Sequence, residues 1–249
     1  MKRFDSIMKI FFAELISFVG IFCYVWYNSV RNFRRLFLTV CTADMLAESI
    51  SYGIFVSISV WMCVLFFYEE FINRFMSEQI VIRYTAKWKV YVRQVCWVIT
   101  GGIGLTALLF VNFIAAANIM GLELYTWDRM DSVFAFMTKT CLREDCSVFI
   151  IFVELYANAL LQFLFFLFIL LALRWTLKSK SWVLLLTALI FVTEIMGRGV
   201  LIVRADVFAM FATGEFDGAS LWQMSVMVVL ALAAGWLASI RKEFYNEKK

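Results

Sequence analysis

The sequence reads as an all-α, polytopic membrane protein with about six transmembrane helices and an interfacial amphipathic helix between the second and the third. Composition, run length and charge placement all lead there. Of the 249 residues, 63% are hydrophobic and 17% charged, too few polar groups to clothe a water-soluble surface. Apolar runs of about 20 residues, the length that carries a helix across the hydrocarbon layer, recur along the chain. Basic residues gather in alternate connections between those runs, the bias that orients membrane proteins.

The first span is expected from Ile7 to Tyr27. Its apolar run is too long for the core of a signal peptide, and no small-x-small cleavage site follows it. The second is expected from Ile50 to Tyr68, the third from Val95 to Ala117 and the fourth from Ser147 to Leu173. The fifth is expected from Trp182 to Val203 and the sixth from Leu221 to Ile240, so that residues 1–249 form a single membrane domain. With the N-terminus inside, the inner segments hold Lys2, Arg3, Lys9, Arg74, Arg83, Lys87, Lys89, Arg93, Arg174, Lys178, Lys180, Arg241, Lys242, Lys248 and Lys249. The outer ones hold Arg31, Arg34, Arg35, Arg129, Lys139, Arg143, Arg198 and Arg204. The excess places both termini in the cytoplasm and the chain in the cell membrane, although the Arg31, Arg34, Arg35 cluster runs against it. The outer connections 28–49 and 118–146 exceed a tight turn, and apolar stretches such as Val133 to Met137 suit short helices on the outer leaflet.

The chain has no proline and no histidine. Proline-free helices run straight unless glycine or a polar insertion bends them. Without histidine there is no Cys-His nucleophile, no zinc-bound water and no haem imidazole, so neither a metal nor a catalytic site is expected. No phosphate-binding glycine loop with lysine is present, so the chain does not hydrolyse a nucleotide alone. Glu69-Glu70-Phe-Ile-Asn-Arg74 fits the EExxxR pattern of intramembrane proteases, but that chemistry also needs histidines, and the match is a chance arrangement. Of six cysteines, Cys23, Cys63 and Cys96 sit in or beside apolar runs and read as buried hydrophobes. Cys141 and Cys146 share a polar outer loop, either as a disulfide or as two thiols. The small residues Gly101, Gly102 and Gly104 in the third span, and Ala233, Ala234, Gly235 and Ala238 in the sixth, permit close helix approach.

Residues 80–95 carry the most information. At helical spacing Ile80, Val81, Tyr84, Trp88, Tyr91, Val92 and Val95 share one side and Arg83, Lys87, Lys89 and Arg93 the other. A basic helix with aromatic residues on its apolar side lies in the interface and offers its charges to the cytoplasm, whereas a plain positive-inside loop only anchors topology. Charges inside the spans come next: Glu14 in the first, Glu154 in the fourth, and Glu194 and Arg198 four apart on one face of the fifth. A lone charge costs at least about 2.5–3.5 kcal/mol in lipid, so these residues face protein or a water-filled path. By depth Glu154, Glu194 and Arg198 are placed to meet, either as an ion pair that fixes packing or in a translocation path; Glu14 has no evident partner at its level.

The chain resembles the compact permease subunits of type-2 ABC transporters, the kind found in bacterial peptide-export and bacteriocin-immunity systems. The likeness rests on the six-span layout and on Val81-Ile82-Arg83-Tyr84-Thr85-Ala86-Lys87-Trp88-Lys89 between the second and third spans. It rests also on Leu161-Gln162-Phe163 in a long apolar fourth span that is followed by the basic turn Lys178 to Ser181. It is strong at 81–93 and otherwise a matter of layout. The resemblance implies a separate ATPase subunit, which holds the ATP and Mg, on the cytoplasmic face. It implies a coupling helix that uses Arg83, Tyr84, Lys87, Trp88, Lys89, Tyr91 and Arg93, and a second permease copy or a related permease. It further implies a hydrophobic or cationic peptide as substrate, and no nucleic acid as partner. Two other readings stay open. One is a non-transporting immunity or scaffold protein that binds a peptide or partner; the other is a thiol-redox protein using Cys141, Cys146 and Cys41, for which Cys-x-x-Cys is lacking.

Overall fold

The structure, a computed structural model, describes residues 2–52, 61, 64–73, 87–141, 147–177, 179–196, 211 and 218–241; of Lys87 and Glu194 it describes the backbone alone. The described residues form helices α1 (Lys2–Leu36), α2 (Thr42–Tyr52), α3 (Lys87–Ile119), α4 (Val133–Thr138), α5 (Val148–Thr176), α6 (Lys180–Met196) and α7 (Gly218–Arg241). A π-helical turn spans Tyr68–Asn73. Among the described residues there is no β-strand, only two isolated parallel bridges, Thr39 with Ser132 and Cys41 with Glu123.

Four helices are long and apolar enough to cross a membrane: Phe11–Arg31, Trp88–Ile119, Val148–Thr176 and Leu221–Arg241. They correspond to the expected first, third, fourth and sixth spans. The expected second span falls largely on residues 53–60 and 62–63, outside the described residues. In the region of the fifth, the apolar part Lys180–Ile190 is shorter than a full crossing, and residues 197–203 lie outside the description. The chain is therefore a helical protein with at least these candidate spans. Their outward faces carry large apolar side chains, among them Phe11, Phe12, Ile16, Phe149, Val229 and Leu237. Such faces would drive aggregation in water and are ordinary against lipid.

Packing divides the chain into two compact units, and boundaries fall inside α3, α5 and α7. Unit 1 comprises Met1–Cys63, Leu105–Leu160 and Arg204–Leu221. Its core includes Ile21, Val25, Met45, Leu46, Phe113, Trp127, Phe134 and Leu155. Asn112 and Phe113, neighbours on α3, touch Glu14 and Tyr24 of α1, which lie about 15 Å apart along that helix. Between these two contacts α1 buries Ser17 and Ile21. α3 ends in a Schellman motif: Gly121 takes φ 69°, its N–H donates to Asn118 O at 3.0 Å and the Leu122 N–H to Ala117 O at 3.0 Å. Unit 2 comprises Val64–Gly104, Leu161–Val203 and Trp222–Lys249, with Val64, Tyr68, Ile72, Tyr91, Val98, Leu171, Trp175 and Val183 in its core. Two glycines admit aromatic rings here rather than a neighbouring backbone. The Phe67 ring fills the position a Cβ would take on Gly101, and the Tyr91 hydroxyl would stand 2.6 Å from a Cβ on Gly235. Gly104 faces open space.

Candidate functional site

In the basic segment, Ile80 to Ala86 lies outside the described residues, and with it Arg83 and Tyr84. From Lys87 onward the segment is not a separate element: Lys87 opens α3, which continues without a break to Ile119. The apolar side expected of this segment divides between buried and exposed residues. Val90, Tyr91, Gln94 and Val98 are buried, while Trp88 and Val92, expected beside Tyr91, are exposed along with Lys89 and Arg93. The Lys89 ammonium lies 5.9 Å from the Trp88 ring centre, in reach of a cation–π attraction.

Polar anchors set the packed side. The Tyr91 hydroxyl donates to the Leu232 carbonyl of α7 at 2.6 Å, and its ring meets Trp236 and Trp175 edge-on at 5.7 and 6.1 Å. The Gln94 amide donates to Ile72 O at 3.3 Å and accepts from Trp175 Nε1 of α5 at 2.8 Å. Two adjacent turns of α3 thus tie the basic end of the helix to α5, to α7 and to the π-helical turn. In the EExxxR stretch Glu69 forms an ion pair with Lys180, while the side chain of Glu70 and all of Arg74 lie outside the description.

The intramembrane charges separate. Glu14 does have a partner: Asn112 Nδ2 donates to its Oε1 at 2.9 Å, while Oε2 is buried without a hydrogen bond. Glu154 is half-buried on α5, and Asn158, one turn on, hydrogen-bonds its backbone carbonyl. The Glu194 side chain and Arg198 lie outside the described residues, as does Cys146. Cys141 is a free thiol 3.2 Å from Met130 Sδ. Cys23 and Cys96, expected to be buried, are exposed on α1 and α3, where an apolar solvent accepts them as readily as a core does. Cys63 lies outside the described residues.

The densest polar site was not foreseen. Residues 37–52 and 120–138 fold together in unit 1. The first N–H groups of α2, those of Thr42 and Ala43, donate to Glu123 O at 2.9 Å and Leu124 O at 3.3 Å, so the loop satisfies donors that a helix start leaves open. Asp44, fully buried, reaches back to accept from the Cys41 N–H at 2.9 Å, half of a capping box, and accepts from Trp127 Nε1 at 2.7 Å. Trp127 stacks on Phe134 of α4 at 4.6 Å and 15° and packs against Phe211 at 5.2 Å. Ser132 caps α4 by accepting from the Ala135 N–H. One turn past Asp44, Glu48 pairs with Arg31 of α1 at 3.1 Å. Burial pushes the Asp44 carboxyl up from 3.8 to about 6 and raises the Glu48 carboxyl and the Cys41 thiol as well. At the surface the hydrogen bond that Arg129 donates to Glu123 raises its guanidinium, consistent with their 2.9 Å ion pair. The available sequence signal was the run Cys41-Thr-Ala-Asp44, an acid three residues after a helix start. A cysteine in the capping position kept it from matching the Ser/Thr form of the motif.

Among the described residues no group of three metal-binding side chains comes together. No protein-family model matches the chain, and no curated protein and no solved structure matches it.

Proposed function

We propose that the chain is the membrane subunit of an ABC-type exporter that moves a hydrophobic or cationic peptide across the cytoplasmic membrane, driven by a separate ATPase subunit and paired with a second permease. The observation that carries the reading is the start of α3. Lys89 and Arg93 are exposed there, on a helix that runs on as a candidate span, while Tyr91 and Gln94 on the other side bind α7, α5 and the π-helical turn. A helix is stiff along its axis, and hydrogen bonds of about 1 kcal/mol each, with a buried aromatic cluster around them, resist shear between neighbours. A soluble motor that engages the basic face would therefore move several helices together. In this reading both termini and the basic face are cytoplasmic.

The test is purification of the tagged chain in mild detergent, with mass spectrometry of what accompanies it. The wild type should bring an ATPase, and a variant with Lys87, Lys89 and Arg93 changed to Glu should lose both that subunit and ATP-dependent peptide export. If the ATPase and the export survive the triple change, the coupling role falls. If no ATPase accompanies the wild type and peptide binding persists, the chain is a non-transporting immunity or scaffold protein.

A further inference from the structure

Asp44 poses a problem that its surroundings do not solve. Its carboxylate is fully buried, and the groups that donate to it, the amide and the thiol of Cys41 and the Trp127 indole, are all neutral. Its own helix offers a like charge, Glu48, whose carboxylate already engages Arg31 from α1. Tyr24 and Tyr27 are further ionisable groups that α1 brings to the Glu48–Arg31 pair. The loop supplies the Glu123–Arg129 ion pair at its surface, and α4 supplies the uncharged Phe134 against Trp127. Beside it the Cys41 thiol is held neutral by burial. Among the described residues no cation is bonded to Asp44.

We propose that Asp44 is a proton-operated latch for the outer-loop assembly, uptake of a proton tightening the hold of α2 on residues 123–135. The reaction is a simple protonation by hydronium, which leaves as water: one Oδ gains O–H, the buried charge disappears, and the Cys41 amide and the Trp127 indole each keep an oxygen to bond. Burial favours the neutral acid, which moves its titration from 3.8 to about 6. Because the value is raised on folding, the stabilisation is complete below about pH 4 and is lost as pH rises through about 6. The assembly is tightest in mild acid and loosest at neutral pH, which is the reverse of a salt-bridged carboxylate. The latch does not depend on the transport reading.

Amide hydrogen exchange on the full chain in detergent, corrected for the intrinsic pH dependence of exchange, tests it. From pH 7.5 to 4.5, protection of residues 42–52 and 123–135 should rise on the order of 30-fold. In Asp44→Asn that rise should vanish. In Trp127→Phe, which removes a donor that favours the charged form, the rise should remain with its midpoint at higher pH. A flat wild-type profile, or an Asp44→Asn protein that keeps the response, overturns the proposal. Should the Asn variant fail to fold, the Trp127→Phe midpoint decides, and an unmoved midpoint counts against the latch.

Discussion

Gly235 and Tyr91 form a pair whose energetics follow directly from their geometry. A Cβ added to Gly235 would meet the Tyr91 hydroxyl at 2.6 Å, Cε2 at 3.1 Å and Cζ at 3.3 Å. The ring cannot simply swing away, because Trp175 and Trp236 flank it and its hydroxyl is bonded to Leu232 O. Gly235→Ala should therefore force an overpacked contact worth about 1–3 kcal/mol and break a hydrogen bond worth about 1 kcal/mol, offset by about 1 kcal/mol of helix propensity. The expected net loss is about 1–3 kcal/mol. Tyr91→Phe alone should cost about 1 kcal/mol, since it removes the hydroxyl and leaves the ring. In the double variant the closest atom is gone, the remaining approaches need a shift of only a few tenths of an ångström, and the alanine should be neutral or favourable. A double-mutant cycle from reversible unfolding in detergent should thus return a coupling of about 1–3 kcal/mol, well above the ~0.5 kcal/mol scatter of independent sites. If the two changes add, the ring does not rest on Gly235, and the tie between α3 and α7 has been misread.

Gln94→Leu should cost about 2–3 kcal/mol in the same unfolding assay, because it leaves Trp175 Nε1 and Ile72 O without their partner. Glu14→Gln should stay within about 1 kcal/mol of wild type, since its amide oxygen still accepts from Asn112. Asn112→Leu should cost at least about 2.5 kcal/mol by stranding a carboxylate in an apolar span; equal effects would show that the pair does not form. Phe37 has φ 54° just past the end of α1, so Phe37→Gly should stabilise the turn by about 1 kcal/mol. A loss there would show that the exposed ring is held by the bilayer. In a chain whose sole cysteine is Cys141, a membrane-impermeant maleimide should label intact cells; labelling only after permeabilisation would invert the topology and remove the basis for a cytoplasmic coupling segment.

Much of the helical layout was legible because run length and apolarity are strong signals. A helix over Val148–Thr176 stands where the fourth span was expected, from Ser147 to Leu173, and one over Gly218–Arg241 where the sixth was expected, from Leu221 to Ile240. Boundaries erred where a basic flank continues the helix. Lys87 begins α3 well before Val95, and Lys180 begins α6 two residues before Trp182, the apolar residues that marked the expected starts. Lysine is a good helix former, and hydropathy alone takes it for the end of an element.

What could not be read was the side on which each helix packs. In water, burying apolar surface chooses the packed face, so polarity along a helix reveals it; in lipid, an apolar side chain is equally at home facing outward. Trp88 and Val92 therefore remain exposed while Gln94 is buried. The amide can bond a carbonyl on one side and an indole on the other, and lipid offers neither partner. The same logic separates Asn112, drawn inward to Glu14, from Cys23 and Cys96, which lose nothing by facing out. Asp44 belongs to the opposite case. It lies in a connection between apolar runs, where a carboxylate would ordinarily seek water, and it is buried because the first turn of α2 and the Trp127 indole both need an acceptor there. In each case the polar group, rather than the apolar stripe, fixes the contact, so such residues are where substitution should disturb the protein most.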